Sequence, residues 1–415
     1  MLKDYFRSPR TLNRLRSGPA GPFIEGFAEE LKAAGYSRIT VRAHLGTSAH
    51  LCHWANSKNL GIADLDESIG ARFLRHLPRC RCRPRQGRYI TSAGAGENLF
   101  QSYLRRIGAT APLVYKNLEM PTAVSINAFR NWMKQNRGVT ERTLDNYSPV
   151  VAALLMSVGD DPSRLDSRNL RAFVLHYAER HGTGCIRSAT TALRTYLRYL
   201  IAEGKCAVAL DSALPAVAVW RLSSLPRYLP APDVERVIAA CDASTPTGLR
   251  DRAIILLLAR LGLRGDDIVR LRIPDIDWQK ANVRLSGKGR REVLLPLTQE
   301  VGDAVLAYFE RGRPAVDSDY VFIRTIAPLR PLSHTGLVTK VVARAIRRAG
   351  VVTDFPGAHV LRHSAATQML RQGISLLDIS AILRHRSIET TALYAKVDIG
   401  LLQLVAQPWP EVTSC

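Results

Sequence analysis

The sequence predicts a mainly α-helical protein with a small β-sheet in its last domain: two amino-terminal helical modules, then a mixed α+β region. Three observations predict this. The chain has 415 residues, more than one core of roughly 100 to 200 residues holds. Its first half contains an internal echo at helical spacing, and a proline-dense stretch separates that half from a region with two short strand-like runs.

The first nineteen residues form a basic leader carrying Lys3, Arg7, Arg10, Arg14 and Arg16, suited to tracking a phosphate backbone or remaining a disordered tail. A helical module is expected over residues 20–115. Its segment Gly35-Tyr36-Ser37-Arg38-Ile39-Thr40-Val41 resembles Gly138-Val139-Thr140-Glu141-Arg142-Thr143-Leu144. Both place a glycine, a capping hydroxyl and apolar residues at helical spacing. Leu65-Asp66 followed by Phe73 repeats as Leu165-Asp166 followed by Phe173, which defines a second helical module over residues 120–210. Within the first module, residues 78–96 read as a loop in which Arg79, Arg81, Arg83 and Arg85 interleave with Cys80 and Cys82.

Residues 211–229 read as a linker, because Pro215, Pro226, Pro230 and Pro232 interrupt regular structure. A further domain, of mixed helical and strand pattern, is expected over 230–398. It begins with helical patterns at Val234 to Ala240, at Asp251 to Leu261 and from Asp266. The strand-like runs Ala281-Asn282-Val283-Arg284-Leu285 and Glu292-Val293-Leu294-Leu295 flank Ser286-Gly287-Lys288-Gly289, which makes a hairpin with a lysine at its tip. From Leu337 onward the pattern is helical again. Residues 399–415, with Leu401-Leu402 and Pro408-Trp409-Pro410, form a tail suited to docking on a neighbouring protomer or capping its own domain.

The formal charge is +22, from 58 Lys plus Arg against 36 Asp plus Glu. Such an excess suits a polyanion, and nucleic acid is the leading partner because each neutralised phosphate releases counterions. No stretch reaches the ~20 apolar residues that span a membrane, and the amino terminus lacks the apolar core of a secretory signal. The expectation is a cytoplasmic, nucleoid-associated protein, with its seven cysteines held as thiols. His76, Cys80 and Cys82, with Cys52-His53 upstream, are zinc-type ligands. Their spacing matches none of the common zinc frameworks, so the reading taken is no bound metal and free thiols in a basic loop.

The last third carries several basic residues and one tyrosine spaced to meet at one phosphate. Arg264 follows a helix end in Gly262-Leu263-Arg264, and Lys288 sits at the hairpin tip. His359 and Arg362 are three residues apart and share a helical face. His385 precedes a turn from which Ser387 caps the helix that delivers Tyr394. A phosphodiester attacked by an oxygen passes through a crowded state with extra negative charge, which fixed cations stabilise. Arginines supply bidentate contacts that stay charged at working pH, and a phenol must lose its proton on attack.

These residues, with Gly-Lys-Gly and Leu-Arg-His-Ser-Ala-Ala-Thr around them, resemble the tyrosine recombinases over residues 226–410. The family's ordered set appears as Arg264, Lys288, His359, Arg362, His385 and Tyr394. The resemblance implies a site-specific DNA recombinase or integrase that forms a 3′-phosphotyrosine linkage and passes through a Holliday junction. Integration, excision or transposition of a mobile element is the implied use. It assigns Tyr394 as nucleophile and Lys288 as general acid, with His359 and His385 bonding the nonbridging oxygens or helping to take the tyrosine's proton. Neither ATP nor a metal cofactor is needed for rejoining.

The implied partners are double-stranded DNA, a homo-tetramer on two sites, and accessory recombinases or DNA-bending proteins, with no membrane. The two helical modules then become SAM-like DNA-binding modules, the second a core-binding domain and the first an arm or accessory domain. Lys134, Arg137, Arg142, Arg187, Arg194 and Arg198 are its candidate phosphate contacts. Two positions depart from the family pattern. Asp266-Asp267 stand where a Ser-Glu pair is usual, so Asp267 must orient Arg264 with a shorter arm, and Arg384 replaces a glycine and is a further candidate phosphate contact. A type IB topoisomerase-like relaxer and a catalytically silent DNA-binding accessory protein remain the alternatives.

Overall fold

The computed structural model describes residues 1–17, 19–80, 82, 90–110, 121–216, 225–286, 292–385 and 387–396. The chain divides into two compact units, one made of residues 1–110 with 224–415 and the other of residues 111–223.

The first unit opens with α1 (Leu2–Tyr5) and α2 (Pro9–Ser17). The leader is therefore neither a tail nor separate: Leu2, Tyr5, Phe6, Leu12 and Leu15 are buried in one core with Ile24, Phe27 and Leu31. Its arginines lie between the apolar positions, so the charge that suggested a solvated arm hid an amphipathic pattern. Next come α3 (Gly21–Ala33), α4 (Arg38–Asn56), α5 (Glu67–His76) and α6 (Ile90–Arg106). Ser37 caps α4 by accepting from the Thr40 N–H at 3.3 Å, and Asp66 caps α5 by accepting from the Ile69 N–H at 2.9 Å. The loop expected over residues 78–96 is shorter, since Leu77–Arg79 is a 3₁₀ turn and α6 starts at Ile90.

This module packs on the later part of the same unit. The Leu329 N–H donates to the Ala34 carbonyl at 2.9 Å, and a β-carbon on Gly35 would come 2.4 Å from Leu329 Cδ1. Gly35 has φ +78°, a left-handed helix end that favours glycine. The glycine of the internal echo thus both ends a helix and admits a neighbour.

The second unit holds α7 (Pro121–Arg137), α8 (Glu141–Val158), α9 (Ser167–Ala178) and α10 (Thr183–Ala202). Asp166 caps α9 by accepting from the Asn169 N–H at 2.7 Å, as Asp66 caps α5. Phe73 and Phe173 are both buried, so the echo marks equivalent helix starts and core positions. Phe129, Leu144, Leu154, Leu170, Leu193 and Tyr196 are fully or almost fully buried in this unit's core. Leu214, within the expected linker, belongs to that core as well.

In the remainder of the first unit, α11 (Ala231–Ala239) and α12 (Pro246–Arg260) lead to α13 (Gly265–Arg270). Residues Ala253 to Leu258 of α12 are at most 1% exposed, as expected of a helix that is apolar all round and lies in the centre of a core. The sheet has order β1-β2-β3 and is antiparallel throughout, from β1 (Ile276–Asp277), β2 (Asn282–Ser286) and β3 (Glu292–Pro296). Val283 pairs with Leu295; both are buried while Leu294 points to solvent, the period-two pattern of a one-sided sheet. Then follow α14 (Gln299–Arg311), α15 (Thr335–Arg348), α16 (Ala358–Arg371), α17 (Leu376–Ile382) and α18 (Ile388–Ala395). The tail over residues 399–415 lies outside the described residues.

Candidate active site

The site is assembled where α12 ends, α16 begins, and α17 turns into α18. Gly262, with φ +59°, carries the chain out of α12, and a β-carbon there would approach Leu383 Cδ2 to 2.5 Å. Arg264 follows at the N-cap of α13. Its main-chain N–H donates to Asp267 Oδ2 at 2.8 Å, and its Nη2 donates to the Arg384 carbonyl at 2.6 Å.

Asp267, expected to orient Arg264, does contact it, at the main chain. Its carboxylate caps the Arg264 main chain and forms an ion pair with the Arg384 guanidinium. Arg384 in turn offers its carbonyl to Arg264. Its side chain, expected as a further phosphate contact, is 7% exposed and held in this ion pair. Arg384 has φ +55°, the left-handed region in which a β-carbon is strained. That conformation explains why glycine is usual there, and the two departures from the family pattern are partners in one interaction.

Three residues of α16 face this corner, since His359, Arg362 and His363 stand at i, i+3 and i+4. Arg362 is 5% exposed and donates to the carbonyls of Gly262 and Leu383. Burial, followed by the nearby Arg264, pushes its pKa down to about 10, which leaves it cationic at neutral pH. His359 is pushed below the ordinary histidine range by burial of its ring and by Arg362 and Arg264. His363 was not among the residues picked from the sequence. Its Nδ1 lies 2.9 Å from Tyr394 Oη, and burial, with His359 and Arg362 beside it, pushes its pKa down to about 4.

Ser387 caps α18 by accepting from the Glu389 N–H at 3.2 Å, and Tyr394 is the last residue but one of that helix. Tyr394 is 1% exposed and packs among Ala366, Leu370, Ile379 and Leu383. Burial pushes its phenol above the ordinary range, and Arg362 opposes that rise. His385 lies over the tyrosine ring, with centroids 6.3 Å apart and planes 14° from parallel. Its Nδ1 is 2.7 Å from the hydroxyl of the buried Thr391. Burial and then Arg362 and Arg264 bring its pKa to about 4. The corner therefore holds two guanidiniums on main-chain carbonyls, three imidazoles kept neutral, and one protonated phenol with a neutral nitrogen at hydrogen-bond distance. Such a set can fix an anion and take a proton from an attacking oxygen.

Lys288 lies outside the described residues; the paired strands β2 and β3 flank it. Of the candidate contacts in the second unit, Arg137 and Arg187 are exposed. Lys134 pairs with Glu141, and Arg198 pairs with Asp211 at 2.8 Å. Arg142, on the first turn of α8, is exposed. Arg194 donates to the Leu214 and Pro215 carbonyls at 3.0 and 3.3 Å, so it holds this unit's chain end. His76, Cys80 and Cys82 are in the amino-terminal module, where His50 joins them. Cys52, considered upstream, is buried with its thiol pushed up to about 12 by that burial.

Comparison with known proteins gives concordant results. The phage integrase family matches residues 227–399. An integrase/recombinase of Sinorhizobium fredii is 35% identical over 416 residues, covering 99% of each chain. A post-cleavage complex of the XerH site-specific recombinase with a palindromic difH substrate shares the fold, with TM-score 0.56, 19% identity, and coverage of 82% of this chain and 95% of that one. A lambda integrase tetramer bound to a Holliday junction also shares it, with TM-score 0.53, 18% identity, and coverage of 75% and 87%. The chain belongs to the phage integrase family and is a tyrosine recombinase, an enzyme of site-specific recombination that cleaves and rejoins DNA.

Proposed function

We propose that Tyr394 is the nucleophile of this recombinase and that Arg264, Lys288, His359, Arg362, His363 and His385 complete its catalytic set, with Asp267 in support. The observation that carries the reading is the 2.9 Å approach of Tyr394 Oη to His363 Nδ1, beside the guanidinium of Arg362. His363, neutral at working pH, accepts the phenol proton as the oxygen attacks phosphorus. The 5′ oxygen leaves, taking a proton from Lys288, and the 3′ phosphate stays on Tyr394. Arg264 and Arg362 offset the charge that develops on the nonbridging oxygens, with His359 and His385 donating from their protonated ring nitrogens. A free 5′ hydroxyl from a second strand reverses the step, so the linkage energy is kept. Because Tyr394 is 1% exposed, α18 moves when DNA binds, bringing the phenol to the phosphate.

The substrate is double-stranded DNA, which the charge of +22 supports. Four protomers act on two sites through a Holliday junction, as in the tetramer of lambda integrase, and the outcome is integration, excision or transposition of a mobile element. The second unit, residues 111–223, takes the part of a core-binding domain, with Arg137, Arg142 and Arg187 as its phosphate contacts and Lys134 and Arg198 engaged only on leaving their carboxylate partners. The test uses a plasmid with two direct copies of the target site, recovered by covalent capture from a pool of random duplexes. Deletion of the intervening DNA as a circle, without ATP or magnesium, is the expected result. Relaxation of plasmids with and without the site at equal rates would instead mark a relaxing enzyme.

A further inference from the structure

Four potential ligand atoms meet in the amino-terminal module, from His50, His76, Cys80 and Cys82, all within 4.8 Å of one another. They come from three separate places in the chain. His50 lies in the last half of α4, His76 is the last residue of α5, and the cysteines follow the 3₁₀ turn Leu77–Arg79. His50 Nε2 is 3.3 Å from Cys80 Sγ, and His76 Nε2 is 3.5 Å from Cys82 Sγ. A zinc ion about 2.3 Å from sulfur and about 2.0–2.1 Å from nitrogen sets those atoms roughly 3.6 Å apart across a tetrahedral angle. These two separations are close to that edge length.

The surroundings hold these atoms in place. The His76 ring stacks on Trp54 with centroids 5.7 Å apart, and the His50 ring meets Phe73 edge-on at 5.2 Å. Phe73 is fully buried and Trp54 is 5% exposed, so both imidazoles rest on the packed core. The Cys82 N–H donates to Cys80 Sγ at 3.3 Å, which fixes the two cysteines relative to each other. A Cys₂His₂ set is the donor chemistry of a closed, tetrahedral, structural zinc site, and soft sulfur with imidazole selects against magnesium and calcium.

We infer that His50, His76, Cys80 and Cys82 form a structural zinc site that ties the end of α5 and the chain after it to the middle of α4. The sequence pattern hid it because the fourth ligand stands 26 residues before His76, outside any compact spacing, where a helix brings it up from the other side. The ion fastens the root of the arginine-rich stretch that begins at Arg79.

The test takes the full-length chain, reduced and stripped of metal, and titrates it with cobalt(II) and then zinc(II) alone. The expected result is about one equivalent bound per chain, with the intense visible absorption of tetrahedral cobalt–thiolate coordination, bleached by zinc. Zinc is expected to shield Cys80 and Cys82 from alkylation at least tenfold, read by peptide mass spectrometry, while leaving exposed Cys185 unchanged. Cys82→Ser and His50→Asn each abolish the absorption band. Binding below a tenth of an equivalent, or a band that survives Cys82→Ser, overturns the site. So does equal alkylation of Cys80 and Cys82 with and without zinc in the unmutated chain, a measurement that needs no variant to fold.

Discussion

His363 Nδ1 sits 2.9 Å from Tyr394 Oη, and this one contact links the helix that carries the arginine to the helix that carries the phenol. Burial raises the phenol's pKa and lowers the imidazole's to about 4, so at neutral pH both are uncharged and the tyrosine O–H donates to the ring. Replacing His363 by Ala removes the acceptor. Single-turnover cleavage is expected to slow by about 10²–10⁴-fold, with DNA affinity unchanged and with the residual rate rising as pH approaches the phenol's range. Cleavage at the parental rate would remove His363 from the reaction.

The same burial makes stability depend on pH. His363 and His385 ionise near pH 4 in the fold, against an ordinary 6.5, so between those values the unfolded chain binds more protons. Their contribution to stability is full above about pH 6.5 and is lost as pH falls toward 4. Melting temperature is therefore expected to drop from pH 7 to pH 5, and to drop less in a His363→Asn, His385→Asn double variant. Equal drops in the two proteins would show that these imidazoles are not held neutral.

The ion pair of Asp267 with Arg384 is almost fully buried. Breaking it from one side leaves an uncompensated charge, so Asp267→Asn or Arg384→Gln should each cost about 3–5 kcal/mol. The double variant should cost less than the sum, with a coupling of about 0.5–3 kcal/mol. Arg384→Gly relieves left-handed strain of about 1–2 kcal/mol yet still strands Asp267, so it should melt below the parent. An Arg384→Gly protein as stable as the parent would mean that the backbone, and not the pair, dominates at this turn.

A second buried charge holds the middle of the domain. Asp251 is 1% exposed; it takes Arg250 at 2.6 Å and reaches Arg344 and Arg348 at 3.5 and 3.9 Å. Asp251→Ala leaves Arg250 buried without its carboxylate and should destabilise by about 3–5 kcal/mol. Urea unfolding reads this directly, and a loss below about 1 kcal/mol, the range of an exposed pair, would contradict it.

Much of this was legible in the sequence, for physical reasons that differ from element to element. The hairpin runs 281–285 and 292–295 show because one face of a sheet is buried, and α12 shows because its run Ala253 to Ala259 is unbroken apolar sequence. The helix starts at Asp66 and Asp166 show because a cap needs a particular side chain at a particular place. The leader did not show: α1 and α2 bury Leu2 and Leu15 while charge dominates their composition. His363 was within reach, because 359, 362 and 363 share a helix face, but a third polar residue on such a face carries no signal of its own. The Asp267–Arg384 pair was not, since 117 residues separate its members and each alone looks like a loss. His50 escaped for the same reason, as its partners lie on another helix and the turn beyond.

The most direct test of the central claim is covalent capture on nicked duplexes from which the short fragment bearing the freed 5′ hydroxyl escapes. The wild-type chain is expected to accumulate a protein–DNA adduct whose nucleotide-bearing peptide contains Tyr394, and Tyr394→Phe is expected to yield none while binding the same duplex. An adduct that persists undiminished in Tyr394→Phe, or one mapped to another residue, would contradict the assignment.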